Sequence, residues 1–226
     1  MVEKFYIPYE KQEDTRLNRM CGAAALAMVY HSLGLTITQS EIWKNISTPD
    51  NCGGRFVKTS VLCQDALKHG LKSMIIKAKD PLRILHICYR NSVRAILNLR
   101  LRPESALGHF TVLVRITGKY VTCHDPQYGP YKRTSQKNLL DLWLPNTSDC
   151  EIGGNTLVAL TDKHLSQYIC PACNTEIPDS IQCYNPRCRR IIPLQPGNLL
   201  GCVNYSCPER TWQLIFCPYC ENWISP

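Results

Sequence analysis

The sequence predicts an α+β fold followed by a small metal-binding module. Three features of its 226 residues indicate this architecture. Helical patterns dominate the first ninety residues, strand-like alternation dominates residues 92–161, and paired cysteines replace hydrophobic periodicity after Asp162. Helices that precede an antiparallel sheet are typical of α+β domains. We therefore expect a domain at 1–164 and a second, smaller one at 165–226.

The helices are predicted from capping residues and helix formers. Residues 22–33 are rich in helix formers and end at Gly34, a residue type that favours the helix C-terminus. A second helix follows Thr38, which has capping-box spacing to Glu41. Apolar periodicity predicts further helices at residues 58–69, 81–89 and 135–143.

The strands are predicted from alternation of apolar and polar residues. The predicted strands are residues 71–78, 92–101, 109–117, 119–124 and 155–161. Gly118 and Lys119 form a tight turn between the third and fourth of these. This hairpin brings the start of one strand next to the end of the other.

Composition limits the class of protein. Apolar residues make up 44% of the chain, which supports a sizeable core, and the formal net charge is +8. The residues after 164 contain four basic and four acidic side chains, whereas a nucleic-acid-binding module would concentrate positive charge. We therefore expect no nucleic-acid partner. No secretory signal and no membrane span is predicted, so the fourteen cysteines indicate a reducing, cytoplasmic compartment.

Cys21 is the candidate nucleophile because it immediately precedes a strongly predicted helix. Helix N-terminal amides stabilise a thiolate, which is the attacking species in acyl transfer. Gly22 would let a substrate carbonyl approach the backbone. His109 begins the first hairpin strand, and Asp125 ends the second, so the hairpin would let Asp125 orient the imidazole of His109.

Four segments together resemble the C39 peptidase family, papain-like domains that cleave leader peptides after double glycine. The segments are Ile7-Pro-Tyr-Glu-Lys-Gln12, Cys21-Gly-Ala-Ala-Ala-Leu-Ala-Met-Val29, Gly108-His-Phe110 and His124-Asp-Pro126, and the resemblance covers residues 5–160. It implies Cys21 as nucleophile, His109 as base, Asp125 as the orienting acid and Gln12 in the oxyanion hole. Asn18 is the alternative amide donor, because the segment 13–20 is long.

The resemblance implies hydrolysis of a peptide or isopeptide bond after glycine or another small residue. The expected substrate is a protein or peptide, with a Gly-Gly or ubiquitin-like tail as one form. Two other hypotheses are a phytochelatin synthase-like acyl transferase and a non-catalytic protein-binding adaptor on a protease-like scaffold.

The tail contains four closely spaced pairs of cysteines. The pairs are Cys170 with Cys173, Cys183 with Cys188, Cys202 with Cys207, and Cys217 with Cys220. Such pairs present thiolates to a tetrahedral ion, so we expect a double zinc ribbon with two structural Zn²⁺ ions and four cysteines each. Sequential pairing joins the first two pairs and the last two, whereas nested pairing joins the outer and the inner pairs. The ribbon is expected to recruit the substrate or a partner protein.

Overall fold

The computed structural model describes residues 6–13, 19–50, 53–105, 108–144, 153–163 and 168–224. The helices in this part of the chain are α1 (Cys21–Ser32), α2 (Gln39–Ile46), α3 (Thr59–Lys68), α4 (Pro81–Asn91), α5 (Gln136–Leu142) and α6 (Gly197–Leu200). The five predicted helices are confirmed, and α6 was not predicted. The capping box of α2 is also present, since the Thr38 side chain accepts from the Glu41 backbone and Glu41 accepts from Thr38 in return.

The five strands predicted from alternation are present, and the structure contains further strands. They are β1 (Thr48–Pro49), β2 (Arg55–Phe56), β3 (Lys72–Ala78), β4 (Arg94–Arg100), β5 (Gly108–Ile116), β6 (Tyr120–Asp125), β7 (Gly129–Ser135), β8 (Thr156–Thr161), β9 (Tyr168–Ile169), β10 (Glu176–Ile177), β11 (Ser180–Gln182), β12 (Ile191–Pro193), β13 (Trp212–Phe216) and β14 (Trp223–Ile224). Strands β1, β2 and β7 and all strands of the tail were not predicted.

One eight-stranded antiparallel sheet organises the molecule, in the order β14-β13-β3-β8-β4-β5-β6-β7. Successive residues of a strand point to opposite faces, so each central strand contributes to two cores. Ile75 and Ile96 pack with α1, α2 and α3 on one face, whereas Ile76 and Leu97 pack with α4 and α5 on the other. The sheet is therefore covered by helices on both faces.

The tail joins this sheet. β13 pairs antiparallel with β3, and Trp212 and Ile215 are buried in the core cluster shared with α4. This pairing covers the outer edge of β3 and buries apolar surface that a strand edge would expose to water. The division of the chain near residue 165 stays a prediction, since strands from both sides of it share one sheet.

No helix among the described residues has the length and apolar character needed to cross a membrane.

Candidate functional site

Cys21 is the first residue of α1, whose first ten residues are all buried. The preceding residue, Met20, has no side chain that caps the helix. The first-turn amides therefore direct the positive end of the helix dipole toward the sulfur of Cys21. Cys21 is itself only 9% exposed, so most of the residue is shielded from solvent.

Gly22 allows α1 to pack closely against the sheet. A Cβ atom at this position would lie 3.0 Å from the Val57 side chain and 3.1 Å from the ring of Phe110. Phe110 follows His109 in β5, so this close contact fixes the distance between the start of α1 and the start of β5. Gly22 is therefore required for packing, in addition to the predicted approach of a substrate carbonyl.

His109 and Asp125 meet as the predicted hairpin requires. The Nε2 atom of His109 lies 2.8 Å from Oδ1 of Asp125, and both side chains are buried. The Cys21 side chain forms a hydrogen bond with the same imidazole. Because Nε2 is engaged by Asp125, Nδ1 is the ring nitrogen left for Cys21. The structure therefore brings these three candidates into one hydrogen-bonded series.

Electrostatics favour a charged imidazole at neutral pH. Burial lowers the pKa of His109, but the hydrogen bonds and charges of Asp125 and Cys21 outweigh burial and raise the pKa to about 9. Burial raises the pKa of Asp125, and its hydrogen bond to His109 and the charge of His109 lower it below the ordinary value.

Gln12 lies beside this series. Its backbone N–H donates to the carbonyl of Pro126 at 3.0 Å, directly after Asp125, and its side-chain oxygen is shielded from solvent. The Tyr9 hydroxyl donates to the same carbonyl at 3.5 Å. The N-terminal segment is therefore held against the Asp125 loop. Asn18, the alternative amide donor, lies outside the described residues.

His124 points to the face of β6 opposite that of Asp125. Its Nδ1 accepts from the Tyr131 backbone at 3.1 Å, so its Nε2 donates to the Ile7 carbonyl at 2.9 Å. Burial lowers the pKa of this fully buried ring, so it stays neutral and anchors the N-terminal segment.

Three other buried thiols lie outside the tail in the described part of the chain. Burial raises the pKa of Cys63, Cys88 and Cys123 to about 12 each, which keeps them protonated at neutral pH. A protonated, buried thiol is a poor nucleophile. Cys52 and Cys150 lie outside the described residues.

The eight tail cysteines form two groups of four. Each group has its four sulfur atoms within 4.8 Å of one another, and the groups are Cys170, Cys173, Cys202 and Cys207 (the first cluster) and Cys183, Cys188, Cys217 and Cys220 (the second cluster). The closest sulfur pairs are 3.5–3.8 Å apart. Tetrahedral Zn–S bonds of about 2.3 Å place sulfurs about 3.8 Å apart, so both groups fit a tetrahedral metal ion.

Both pairings considered from the sequence are wrong. The first cysteine pair meets the third and the second meets the fourth, so the pairing is neither sequential nor nested. Between the first two pairs the chain forms β10 and then β11, which belong to separate hairpins. These hairpins carry the second pair away from the first, against the main core that contains Cys183 and Cys217.

The second cluster contacts α3 directly. Glu221, next to Cys220, accepts a hydrogen bond from the Ser60 hydroxyl at 2.6 Å and lies 3.6 Å from Lys58. Gln64 donates to the Pro218 carbonyl at 2.6 Å. The Glu221 carboxylate thus lies at the N-terminus of α3, where negative charge is stabilising.

A small cavity of about 40 Å³ lies beside His109 and Asp125. Leu99, Leu101 and Leu142 contribute apolar walls, and Lys132 lies at the same cavity. The space admits a small group next to the imidazole.

Comparison with known proteins places the chain in a family. Residues 7–146 match the model of the peptidase C39 family. A C39-like peptidase from Bacillus anthracis shares the fold at 15% identity and a TM-score of 0.57, over 70% of this chain and 96% of that one. The peptidase domain of Streptococcus ComA, a bi-functional ABC transporter of a quorum sensing pathway, is 18% identical with a TM-score of 0.51, over 70% of this chain and all of that one. No curated protein matches the chain. Because the family model spans more than half of the sequence, including Cys21, His109 and Asp125, the chain belongs to the peptidase C39 family and is an enzyme of the cysteine peptidase class.

Proposed function

We propose that the protein hydrolyses a peptide or isopeptide bond through Cys21, with His109 as the acid–base residue and Asp125 as its orienting partner. The observation that carries this proposal is the single imidazole that contacts the Cys21 side chain and lies 2.8 Å from the Asp125 carboxylate. Membership of a cysteine peptidase family gives independent support.

Acylation begins from the thiolate–imidazolium pair. The Cys21 sulfur attacks the substrate carbonyl, and the carbonyl oxygen becomes an oxyanion. The Cys21 backbone N–H and the Gln12 side-chain amide donate hydrogen bonds to this oxygen. His109 then gives its proton to the leaving amine, which departs and leaves a thioester on Cys21.

Deacylation reverses the proton transfers. Neutral His109 takes a proton from water, and the resulting hydroxide attacks the thioester carbonyl. The C–S bond breaks, the acid product leaves, and the thiolate–imidazolium pair forms again. Asp125 keeps the imidazole oriented in both half-reactions.

The preferred substrate has glycine or another small residue at the cleaved bond. Cys21 is only 9% exposed, and the cavity beside His109 and Asp125 is small, about 40 Å³. A protein or peptide with a Gly-Gly or ubiquitin-like tail meets this condition. The tail module would recruit the substrate or a partner protein.

Both cysteine clusters are proposed zinc sites. Four sulfurs at tetrahedral spacing suit Zn²⁺, and a bound ion would supply folding free energy rather than chemistry, because four protein ligands fill its coordination shell.

The test is hydrolysis of a fluorogenic peptide that ends in Gly-Gly by the full-length, zinc-loaded protein. We expect turnover that Cys21→Ala and His109→Ala abolish while Cys63→Ala, a matched thiol control, retains it. Absence of turnover across Gly-Gly and Ala-Gly peptides, with the protein folded, would contradict the proposal.

Two further measurements separate the other hypotheses. An added amine acceptor would be incorporated into the product by an acyl transferase and left unused by a hydrolase. Iodoacetamide labelling at neutral pH should modify Cys21 much faster than Cys63 or Cys88. Equal labelling of all three would favour the non-catalytic adaptor.

A further inference from the structure

The positive charge of the chain is concentrated in one part of the structure. Residues 81–140 contain ten lysine or arginine residues and two acidic ones, Glu104 and Asp125. The net charge of this segment, +8, equals the formal net charge of the whole chain, so the basic and acidic side chains outside it are equal in number. Asp125 is buried against His109, so it contributes little negative charge to the surface.

Some of these basic side chains have structural partners. Arg83 pairs with Glu209 at 2.8 Å, and Arg94 is buried with its Nε atom donating to the Ser32 hydroxyl. Others are exposed at the β5–β7 end of the sheet, and within the described residues none of the following forms an ion pair: Arg115, Lys119, Arg133 and Lys137.

Register places two of the arginines on one face. Thr122 of β6 pairs with Arg115 of β5 and with Arg133 of β7, so the two arginines flank Thr122 on neighbouring strands. They are separated by about 10 Å, twice the spacing between strands. The guanidinium carbon of Arg133 lies 3.6 Å from the centre of the Tyr120 ring, a cation–π contact that helps to hold this side chain in place. We call the surface formed by Arg115, Tyr131 and Arg133 the basic face.

The basic face and the candidate active site share strand β7. Gly129, the first residue of β7, pairs with Asp125 of β6, and Arg133 lies four residues further along β7. Lys132 lies on the opposite face of the strand from Arg133, 3.4 Å from the Asp125 carboxylate. β7 has seven residues, so it extends roughly 23 Å from the catalytic residues. A substrate segment lying along β7 would therefore be only a few residues from the cleaved bond.

β7 also offers backbone hydrogen-bonding groups. It is the last strand in the sheet order, and no strand of the described residues pairs with its outer edge. Two exposed tyrosines, Tyr128 and Tyr131, flank this edge at 52% and 56% exposure. An extended peptide can add to such an edge through main-chain hydrogen bonds, while side chains supply specificity.

We propose that the basic face and the β7 edge bind an acidic segment of the peptide substrate next to the cleaved bond. This inference rests on the proposed peptidase function and names its substrate class. A peptide is favoured over a nucleic acid because β7 starts beside Asp125 and because no strand in the described part of the chain pairs with its outer edge. Charge complementarity along β7 sets which peptides reach Cys21.

Binding is measured with the full-length Cys21→Ala protein, so that turnover plays no part. The probes are two fluorescein-labelled peptides that end in Gly-Gly, one carrying a glutamate-rich segment and the other carrying glutamines instead. We expect tighter binding of the acidic peptide at low ionic strength and loss of this preference as salt screens the charges. Equal binding of both peptides would overturn the inference.

Two double variants locate the interaction. Arg115→Gln with Arg133→Gln should weaken binding of the acidic peptide about fivefold, since two exposed charge pairs are removed. Lys44→Gln with Lys68→Gln removes the same charge from exposed positions on α2 and α3 and should leave binding unchanged. Equal weakening by both double variants would show a general charge effect and overturn the inference.

Two further controls test whether the variants misfold and whether the surface binds nucleic acid instead of a peptide. Arg115→Lys with Arg133→Lys keeps the charge and should keep the preference, and its loss there would contradict the role of charge. The contrary outcome is that a labelled single-stranded oligothymidine binds more tightly than the acidic peptide and loses affinity in the Arg115→Gln, Arg133→Gln protein. That result would assign the basic face to nucleic acid and overturn the inference. Because the Cys21→Ala protein reports binding alone, its result is independent of whether the wild-type protein cleaves either peptide.

Discussion

The Asp125 carboxylate is the point where the site residues converge. Its Oδ1 accepts from His109 and from the backbone amides of Gln127 and Tyr128 at 3.0 Å each, and its Oδ2 faces Lys132. Burial raises the pKa of Asp125, but the hydrogen bonds from His109, Tyr128 and Gln127 and the charge of His109 outweigh burial and lower the pKa. The carboxylate therefore stays ionised and fixes the imidazole beside Cys21.

Asp125→Asn tests this role in the proposed reaction. An amide can hold the ring but supplies no negative charge, so the pKa of His109 should fall from about 9 toward its ordinary value. We expect kcat/KM to fall about 100-fold to 10,000-fold, with the alkaline limb of the pH profile at lower pH. The measurement is kcat/KM against pH, with thiolate absorbance as a second readout.

Asp162→Asn is the matched control, since Asp162 is exposed and follows β8. Its profile should match that of the wild-type protein. An Asp125→Asn profile of unchanged shape, reduced only in height, would mean that the carboxylate does not set the charge of His109.

His109 also links stability to pH. Its pKa is about 9 in the folded protein, against an ordinary value of 6.5, so its charged form stabilises the fold below about pH 6.5. This contribution decreases as pH rises and is lost above about pH 9. We expect His109→Gln to lower the free energy of unfolding more at about pH 6 than at about pH 9.5 in urea titrations. A loss of stability that is the same at both pH values would exclude this linkage.

At the scale of the elements, α1 and β5 must lie close enough for Cys21 to meet His109. Gly22→Ala would place a methyl group 3.0 Å from Val57 and 3.1 Å from Phe110, which forces the helix and the sheet apart. We expect the free energy of unfolding to fall by about 1–3 kcal/mol. We also expect kcat to fall by more than the fraction of protein that unfolds would explain. Urea titration and peptide hydrolysis measure the two effects.

Gly118→Ala is the control for this substitution. A Cβ atom at Gly118 meets no atom within 4 Å, so the variant should retain stability and activity within about 0.5 kcal/mol. Full activity in folded Gly22→Ala protein would show that the spacing of α1 and β5 tolerates change.

Local signals explain why most of the candidate site could be predicted. Cys21 before a run of helix formers and a tight turn between two alternating segments are encoded within about twenty residues. The missed features depend on tertiary contacts instead. β7 reads as a polar, exposed segment because it lies at an edge, and the crossed cysteine pairing depends on how the tail hairpins dock on the main core. Cysteine spacing alone contains no information about that docking.

At the scale of the whole molecule, the two cysteine clusters have different relations to the peptidase sheet. The second cluster contributes Cys183 and Cys217 to the main core. Cys217 directly follows β13, the strand that pairs with β3. The first cluster forms a separate apolar group with Tyr168. The sheet therefore depends more directly on the second cluster, which also supplies Glu221 to the N-terminus of α3.

Serine substitutions at two half-buried ligands test this difference, because Cys220 belongs to the second cluster and Cys173 to the first. Each variant should lose one of two bound zinc ions, since structural sites need all four thiolates. We expect Cys220→Ser to lower the Tm of the whole chain and reduce peptide hydrolysis, because loss of the zinc ion would weaken the pairing of β13 with β3 and the contact of Glu221 with α3. Cys173→Ser should lose its zinc with a smaller decrease in Tm and near-normal hydrolysis. The measurements on both proteins are metal content, calorimetry and kcat/KM. Equal effects of the two substitutions would contradict the expected difference between the clusters. A separate low-temperature transition in Cys220→Ser, with the main transition unchanged, would show that the tail is thermodynamically independent of the sheet it joins.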